Sequence, residues 1–112
     1  MKTLKLRFVF LLLIGMSGIL FGKTVYGYCR CEHWQFGWFY PAGVYVQLGS
    51  ANTTTAAGGY YEFNCPLTYD DYTVYASYND GQNHWSGYTD FYYEGGEQRV
   101  DIDLYYDSIK NK

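Results

Sequence analysis

The sequence predicts an all-β fold, a single antiparallel β-sandwich of about seven strands preceded by a signal-peptide helix. After residue 27, apolar residues recur at every second position, and no stretch shows the sustained apolar stripe of an amphipathic helix. Turn-forming clusters rich in Gly, Pro, Asn and Asp separate these stretches. The composition agrees, because 22% of the residues are aromatic and aromatic side chains favour strands. Such spacing without helices is typical of an antiparallel sandwich or a small barrel.

Four stretches alternate most clearly and are predicted to be strands: residues 44–48, 60–63, 72–77 and 99–104. In the last stretch, Val100, Ile102 and Leu104 are predicted to face the core, while Asp101 and Asp103 face solvent. Residues 28–39 and 88–93 are predicted to form two further strands. Turn signals separate the strands at Pro41-Ala42-Gly43, Gly58-Gly59, Asn79-Asp80-Gly81 and Gly95-Gly96.

The N-terminal segment has the pattern of a secretory signal peptide. Lys2, Lys5 and Arg7 precede an uncharged apolar run at residues 8–21, whose length fits a signal peptide and falls short of the roughly 20 residues of a spanning helix. We expect a signal peptide at residues 1–27, although cleavage after Gly22 and an uncleaved membrane anchor are alternatives. The β-sandwich domain is then residues 28–106, and residues 107–112 form a frayed polar tail.

The charge balance argues against a nucleic-acid partner. Beyond residue 22 the chain has five basic and eleven acidic residues, whereas nucleic acids are bound through clustered Lys and Arg. With the leader removed, the mature chain is expected to carry no membrane span. We therefore expect a secreted protein that is extracellular, periplasmic or attached to the cell surface.

Three cysteines allow one intramolecular disulfide and one remaining thiol. Cys29 and Cys31 are two positions apart on an extended stretch, about 6.6 Å between Cα atoms, which is near the upper limit for a disulfide. The prediction is a bridge between Cys31 and Cys65, with Cys29 as the alternative partner of Cys65. Either bridge would close a loop of about 35 residues and stabilise the fold by roughly 4 kcal/mol.

No motif for catalysis or for a cofactor is present in the sequence. It contains neither His-Glu-x-x-His nor Gly-x-Ser-x-Gly, so we expect no enzyme and no cofactor. Cys29, Cys31 and His33 would share one strand face and, with Cys65, form an alternative zinc or copper site. Residues 80–83 offer oxygen ligands for calcium, but Asp and Asn beside Gly are also turn formers, and the spacing is not that of an EF-hand.

The aromatic residues give the strongest indication of function. Tyr60, Tyr75 and Tyr105 fall on outward positions of their predicted strands, and Trp85 and Tyr88 lie near loops. These five residues are the predicted ligand-binding surface, because exposed aromatic rings stack on sugars or anchor protein partners. The alternative is that cross-strand Tyr pairs only stabilise a solvent-facing sheet.

The order of the motifs resembles that of a known domain family. A small residue and Gly precede an alternating strand at residues 42–48, followed by three Thr at residues 53–55, Gly-x-aromatic-x-Phe at residues 59–63, Tyr-Thr-Val-x-Ala at residues 72–76 and a final alternating strand at residues 100–104. This order resembles the carboxypeptidase regulatory-like domains, which have a prealbumin-like (transthyretin-like) sandwich, and more distantly the collagen-adhesin B-type repeats. The resemblance covers residues 28–104.

The resemblance implies a non-catalytic module. Two positions depart from the family pattern, because Ala56 or Ala57 replaces a turn Asp and Asp71 replaces a Gly. The lysines beyond residue 22 lie outside the predicted strands, so the Lys–Asn crosslink of the adhesin repeats is not expected. As a module expected to stand alone behind its own signal peptide, the chain is predicted to have a binding or structural role outside the cell. A carbohydrate-binding module that uses exposed Trp and Tyr is the alternative.

Overall fold

The computed structural model describes residues 23–107, and these residues form nine strands. The strands are β1 (Val25–His33), β2 (Gly37–Phe39), β3 (Tyr45–Leu48), β4 (Ala51–Thr54), β5 (Tyr60–Phe63), β6 (Asp71–Asn79), β7 (His84–Tyr92), β8 (Gln98–Arg99) and β9 (Ile102–Tyr106). One 3-10 turn at Ala57–Gly59 precedes β5, and the described residues contain no α-helix. The predicted all-β class is therefore confirmed. None of the described elements is a helix of the length and hydropathy that a membrane span requires.

The strands are hydrogen-bonded into one curled, mixed sheet. Its order is β2-β1-β9-β7-β6-β3-β4, with β5 and β8 also paired to β1. Strand β9 runs parallel to β1, with Ile102 opposite Cys29, and antiparallel to β7, with Tyr105 opposite Ser86. The predicted purely antiparallel arrangement is therefore wrong. Alternation of buried and exposed residues is the same in parallel and antiparallel strands, so the sequence pattern does not reveal strand direction.

Strand β1 lies at the centre of this arrangement and pairs along both edges. Antiparallel β5 and β2 follow each other along one edge, and parallel β8 and β9 follow each other along the other. Val25 and Gly27 are buried by these neighbours. Residues 25–27, which the sequence assigned to the leader, thus belong to the first strand. Residues 1–22, with the basic and apolar regions of the predicted signal peptide, and most of the predicted tail lie outside the described residues.

Two predicted strands are interrupted in the structure. The predicted strand at residues 28–39 is a hairpin, because His33 Nδ1 accepts hydrogen bonds from the backbone N–H groups of Gln35 and Phe36 and Gly37 adopts a positive φ of 85°. The predicted strand at residues 99–104 is split between β8 and β9 at Val100 and Asp101. Neither interruption changes which side chains face inward.

The inner face of the curled sheet holds one apolar core. Val100, Ile102 and Leu104 are at most 5% exposed, as the alternation predicts. The sheet has two arms, one formed by β1 with β2, β5 and β8 and the other by β7, β6, β3 and β4, and β9 lies between them. The same cluster contains inward residues from both arms: Val25, Cys29 and Cys31 from β1, Val46 and Leu48 from β3, Tyr61 and Phe63 from β5, Val74 and Ala76 from β6, and Trp85 from β7.

The predicted disulfide is wrong. In the described part of the chain all three cysteines are thiols and none lies near another. The Cys65 carbonyl accepts a hydrogen bond of 2.9 Å from Thr24 Oγ1, which places Cys65 beside the start of β1. Cys29 is five positions further along this strand, about 16 Å away at strand rise, and Cys31 is further still. Both distances exceed the roughly 7 Å between Cα atoms that a disulfide tolerates.

Two glycines allow β8 and β9 to pack closely against their neighbours. A Cβ atom at Gly27 would overlap the carbonyl oxygen of Val100, and one at Gly87 would overlap that of Asp103. The Val100 carbonyl also accepts a hydrogen bond from the buried hydroxyl of Tyr61. These contacts fix the position of β9, and therefore the outward direction of its polar side chains.

Candidate ligand-binding groove

An open groove of about 870 Å³ lies on the outer face of the sheet, where β1, β9 and β7 run side by side. We call it the outer groove. Its lining combines four tyrosines with four charged residues: Tyr28, Tyr40, Tyr88, Tyr105, Arg30, Arg99, Asp101 and Asp103. Gly58 and Thr89 complete the lining. The volume falls within the range of ligand-binding pockets, and the groove is therefore the candidate functional site.

Parallel pairing of β1 and β9 creates the first charged pair of the groove. Arg30 lies opposite Asp103 in the register, and both side chains point outward because their neighbours in sequence face the core. Arg30 Nε lies 2.8 Å from Asp103 Oδ1, and Nη2 lies 3.3 Å from Oδ2. The guanidinium also lies 3.9 Å from the centre of the Trp38 ring. The hydrogen bond to Asp103 raises the pKa of Arg30, so the guanidinium stays charged.

A second charged pair lies beside the first. Arg99 Nε lies 3.1 Å and 3.2 Å from the two carboxylate oxygens of Asp101. Asp101 Oδ1 also accepts a hydrogen bond of 3.0 Å from the backbone N–H of Tyr28. Arg30 and Arg99 are the only arginines among residues 23–107, and both line the groove. Exposed ion pairs of this kind add little to stability, so stability alone does not explain their placement.

Exposed tyrosine rings extend from the groove onto the neighbouring strand. Tyr88 is 63% exposed, and its ring centre lies 6.0 Å from that of Tyr75, which is 57% exposed and directly opposite on β6. Tyr105 is 52% exposed and packs edge-to-face against Trp38, with 5.8 Å between ring centres. The face therefore offers aromatic surfaces together with charged hydrogen-bonding groups.

The structure gathers most of the predicted ligand-binding residues on this face. Tyr88 and Tyr105 line the outer groove, and Tyr75 packs beside Tyr88. Tyr60 is half-buried at the rim, where its ring lies 5.4 Å from that of Tyr28 and its hydroxyl donates a 2.9 Å hydrogen bond to Glu62.

Trp85 does not belong to the exposed face. Its side chain is 1% exposed, and its indole N–H donates a 2.7 Å hydrogen bond to the Glu32 carbonyl. Strand β7 begins at His84, four residues before the predicted start of this strand. Extending the alternation back from Phe91, which packs against the core, would have placed Trp85 on the buried face.

Sequence reasoning missed the charged pairs and three aromatic residues of the site: Tyr28, Trp38 and Tyr40. It placed Asp101 and Asp103 outward but attributed them to solvation, and it did not consider Arg30. The alternation of residues 29–31 did contain a signal, because Cys29 and Cys31 facing inward require Arg30 to face outward. The partner of Arg30 lies 73 positions away in sequence, and nothing local indicates that pairing.

The loop at residues 80–83 is a tight turn whose polar groups bind its own backbone. Asp80 Oδ1 accepts hydrogen bonds from the N–H groups of Gln82 and Asn83, at 3.0 Å and 2.8 Å. These bonds, that of Asn83 first, lower the pKa of Asp80. Such contacts are those of a turn former. Among residues 23–107, no three His, Cys, Asp or Glu side chains come together as a metal site.

A cluster of His84, Ser86 and Asp107 lies at the start of β7. His84 Nδ1 lies 2.6 Å from Asp107 Oδ2, and Ser86 Oγ lies 3.0 Å from the same oxygen. A nucleophile must hydrogen-bond to its base, whereas here both groups contact the carboxylate between them. The cluster therefore ties β7 to the end of β9 and does not have the geometry of a catalytic triad.

Comparison with protein-family models and with curated proteins finds no match to this chain. A curled all-β sheet does not by itself identify the carboxypeptidase regulatory-like family. The family resemblance therefore stays a prediction from the sequence motifs, and the outer groove is the feature of the molecule that indicates a function.

Proposed function

We propose that this protein is an exported, non-enzymatic binding module whose outer groove holds an extracellular glycan. The observation that carries the proposal is the combination of exposed tyrosine rings with guanidinium–carboxylate pairs in one groove. Aromatic rings offer large rigid surfaces to the apolar faces of sugar rings. Guanidinium groups donate to sugar hydroxyls and carboxylates accept from them.

The contacts of the groove residues favour binding over catalysis. Both carboxylates of the lining accept hydrogen bonds from an arginine, and the Thr89 hydroxyl donates a 2.8 Å bond to the Asp101 carbonyl. The described lining residues include no His, Ser or Cys. General acid–base or nucleophilic catalysis uses such a group, an unengaged carboxylate or an activated hydroxyl, and of these the lining offers only the tyrosine hydroxyls besides the engaged Thr89.

The proposal includes a prealbumin-like sandwich and export through a cleaved leader. The motif order supports the sandwich, as does the single core that inward residues from both arms of the sheet share. Cleavage after Gly22 is favoured over cleavage after Gly27, because residues 25–27 are part of β1. Mass spectrometry of the exported protein should therefore give a mature chain that starts at Lys23, and a start at Tyr28 would contradict this.

Affinity gel electrophoresis with embedded polysaccharides tests the binding function. We expect at least one polysaccharide to retard the wild-type protein, and Tyr88→Ala to weaken that binding at least about 10-fold, as loss of a central aromatic contact does. Tyr45→Ala is the matched control, because Tyr45 is 42% exposed on β3 but does not line the groove.

Equal binding by the Tyr88→Ala and wild-type proteins would contradict the groove as the site. Absence of binding to every polysaccharide in a broad panel would contradict the function itself. The exposed hairpin residues Trp34 and Phe36, 64% and 78% exposed, would then indicate a protein partner instead.

A further inference from the structure

We infer that the outer groove selects neutral glycans over anionic ones, and that the Arg30–Asp103 pair recognises the glycan by hydrogen-bonding to its hydroxyl groups. This inference rests on the proposed glycan-binding function and adds the chemical class of the ligand. It is carried by the charge balance within the groove, by the carboxylates around it and by the fixed geometry of the pair.

The groove contains as many positive as negative side chains, and each is paired. Arg30 is bonded to Asp103, and Arg99 is bonded to Asp101. Sites for carboxylate, sulfate or phosphate groups present Arg or Lys side chains whose positive charge is not neutralised by a carboxylate of the protein. An anionic sugar on the remaining donors of either arginine would lie beside the aspartate that neutralises that arginine. A neutral sugar can bind while both pairs stay intact.

The carboxylates around the groove add to this discrimination. Glu32 lies two positions from Arg30 on the same face of β1, and Asp90 lies two positions from Tyr88 on the same face of β7. Glu62 lies opposite Tyr26 at the rim, where its carboxylate accepts the Tyr60 hydroxyl. Apart from the paired Arg30 and Arg99, Lys23, 5.4 Å from the Tyr26 ring, is the one Lys or Arg among residues 23–107. This excess of negative charge repels polyanions.

The geometry of the Arg30–Asp103 pair suits adjacent hydroxyl groups. The pair uses two of the five guanidinium N–H donors, so donors and carboxylate lone pairs remain for a ligand. Contact with the Trp38 ring fixes the guanidinium before any ligand arrives. Neighbouring sugar hydroxyls both donate and accept, and a fixed donor beside a fixed acceptor can bind both at little entropic cost.

The test compares neutral and anionic polysaccharides as probes for the full mature chain. Soluble β-glucan and galactomannan are the neutral probes, and polygalacturonate and heparin are the anionic probes. We expect the wild-type protein to bind a neutral probe with an affinity that changes less than about 2-fold between about 20 mM and about 500 mM NaCl, because no net charge is neutralised. We expect no binding to the anionic probes.

Substitutions in the Arg30–Asp103 pair distinguish recognition of sugar hydroxyls from a purely structural role. Asp103→Asn leaves Arg30 without its carboxylate, so neutral binding should weaken about 10-fold and salt-sensitive binding to polygalacturonate should appear. Arg30→Lys keeps the charge but loses the planar paired geometry. It should weaken binding to the neutral probes by a similar factor, and no binding to polygalacturonate should appear. A merely structural role would not create binding to a new class of ligand.

Asp90→Asn is the matched control. It removes one carboxylate from the same outer face, but Asp90 accepts the Thr73 hydroxyl and contacts neither arginine pair. Binding to the neutral probes should equal that of the wild-type protein, and the anionic probes should still not bind, because both arginine pairs stay intact and Glu32 and Glu62 still carry negative charge around the groove. Thermal unfolding of each variant confirms that the protein is folded before binding is compared.

Three results would overturn the inference in different ways. Salt-sensitive binding of the wild-type protein to polygalacturonate or heparin, lost in Tyr88→Ala, would show the wrong charge class while leaving the groove as a glycan site. Neutral binding unchanged by Asp103→Asn and by Arg30→Lys would remove the pair from recognition. Failure of the wild-type protein to bind any probe of either class would contradict the proposed function as well.

Discussion

At the scale of single residues, glycine controls how closely the last strand approaches its neighbours. Gly27 and Gly87 sit where backbone carbonyls of residues 100 and 103 occupy the space of a side chain. Neither glycine has a positive φ, so the reason for glycine is close packing and not backbone conformation. The same contacts orient Asp101 and Asp103 toward the outer groove.

Gly87→Ala should therefore destabilise the protein by about 1–3 kcal/mol, because the added methyl group must push β9 away from β7. Urea denaturation followed by tryptophan fluorescence measures the change, and the buried Trp85, two positions before Gly87 on the same face of β7, reports on the core. Ser77→Ala, on the strand paired with this part of β7, should change stability by less than about 0.5 kcal/mol. Equal stability of Gly87→Ala and the wild-type protein would contradict the close-packing account.

The thiols of β1 give a second prediction at this scale. Burial raises the pKa of Cys29 and of Cys31 to about 12, so roughly one thiol in 10⁴ is a thiolate at pH 8. Alkylation of the native protein should label Cys65 alone, and alkylation after denaturation without a reductant should label all three cysteines. Mass spectrometry counts the labels. Fewer than three labels after denaturation would show that a disulfide forms.

At the scale of elements, the sequence predicts the faces of strands better than their partners. Alternation identified the outward positions of Tyr75 and Tyr105, whose side chains are 57% and 52% exposed. It also identified the buried residues of β9. Which strands pair depends on contacts between distant parts of the chain, so the Arg30–Asp103 and Arg99–Asp101 pairs could not be foreseen together as one groove. The expected disulfide failed for the same reason, because its geometry depends on strand register.

The turn between β6 and β7 gives a pH-dependent prediction. The folded-state pKa of Asp80 is lowered by hydrogen bonds from the backbone N–H groups of Asn83 and Gln82, so the carboxylate stabilises the turn when it is ionised. That stabilisation is present above the unfolded-state pKa, near 3.8, and is lost as the pH falls through the folded-state pKa.

Asp80→Ala should lower the Tm at neutral pH, and its difference from the wild-type protein should shrink in acid. Asp80→Asn keeps an acceptor oxygen at every pH, so it should retain more stability and show a weaker pH dependence. Differential scanning fluorimetry between about pH 2.5 and pH 7 follows all three proteins. A difference between Asp80→Ala and wild type that grows in acid would contradict the role of the ionised carboxylate.

At the scale of the whole molecule, the two faces of one curled sheet have different roles. The inner face supplies the core, and the outer face carries aromatic rings and paired charges. The predicted all-β class and the inward residues are confirmed, whereas the mixed direction of the strands was not predictable from local pattern. Strand β9 is decisive because it pairs with both β1 and β7 and thereby joins the two arms.

The parallel pairing of the first and last strands also has a mechanical consequence. If the described fold is pulled from its two ends, β1 and β9 slide past each other, so their interstrand hydrogen bonds are loaded together in shear and cannot be peeled apart one at a time. Force spectroscopy should show higher rupture forces for end-to-end pulling than for pulling across the antiparallel β6–β7 hairpin from the hairpin's open end. A fold with this geometry is suited to staying folded under tension applied between its two ends.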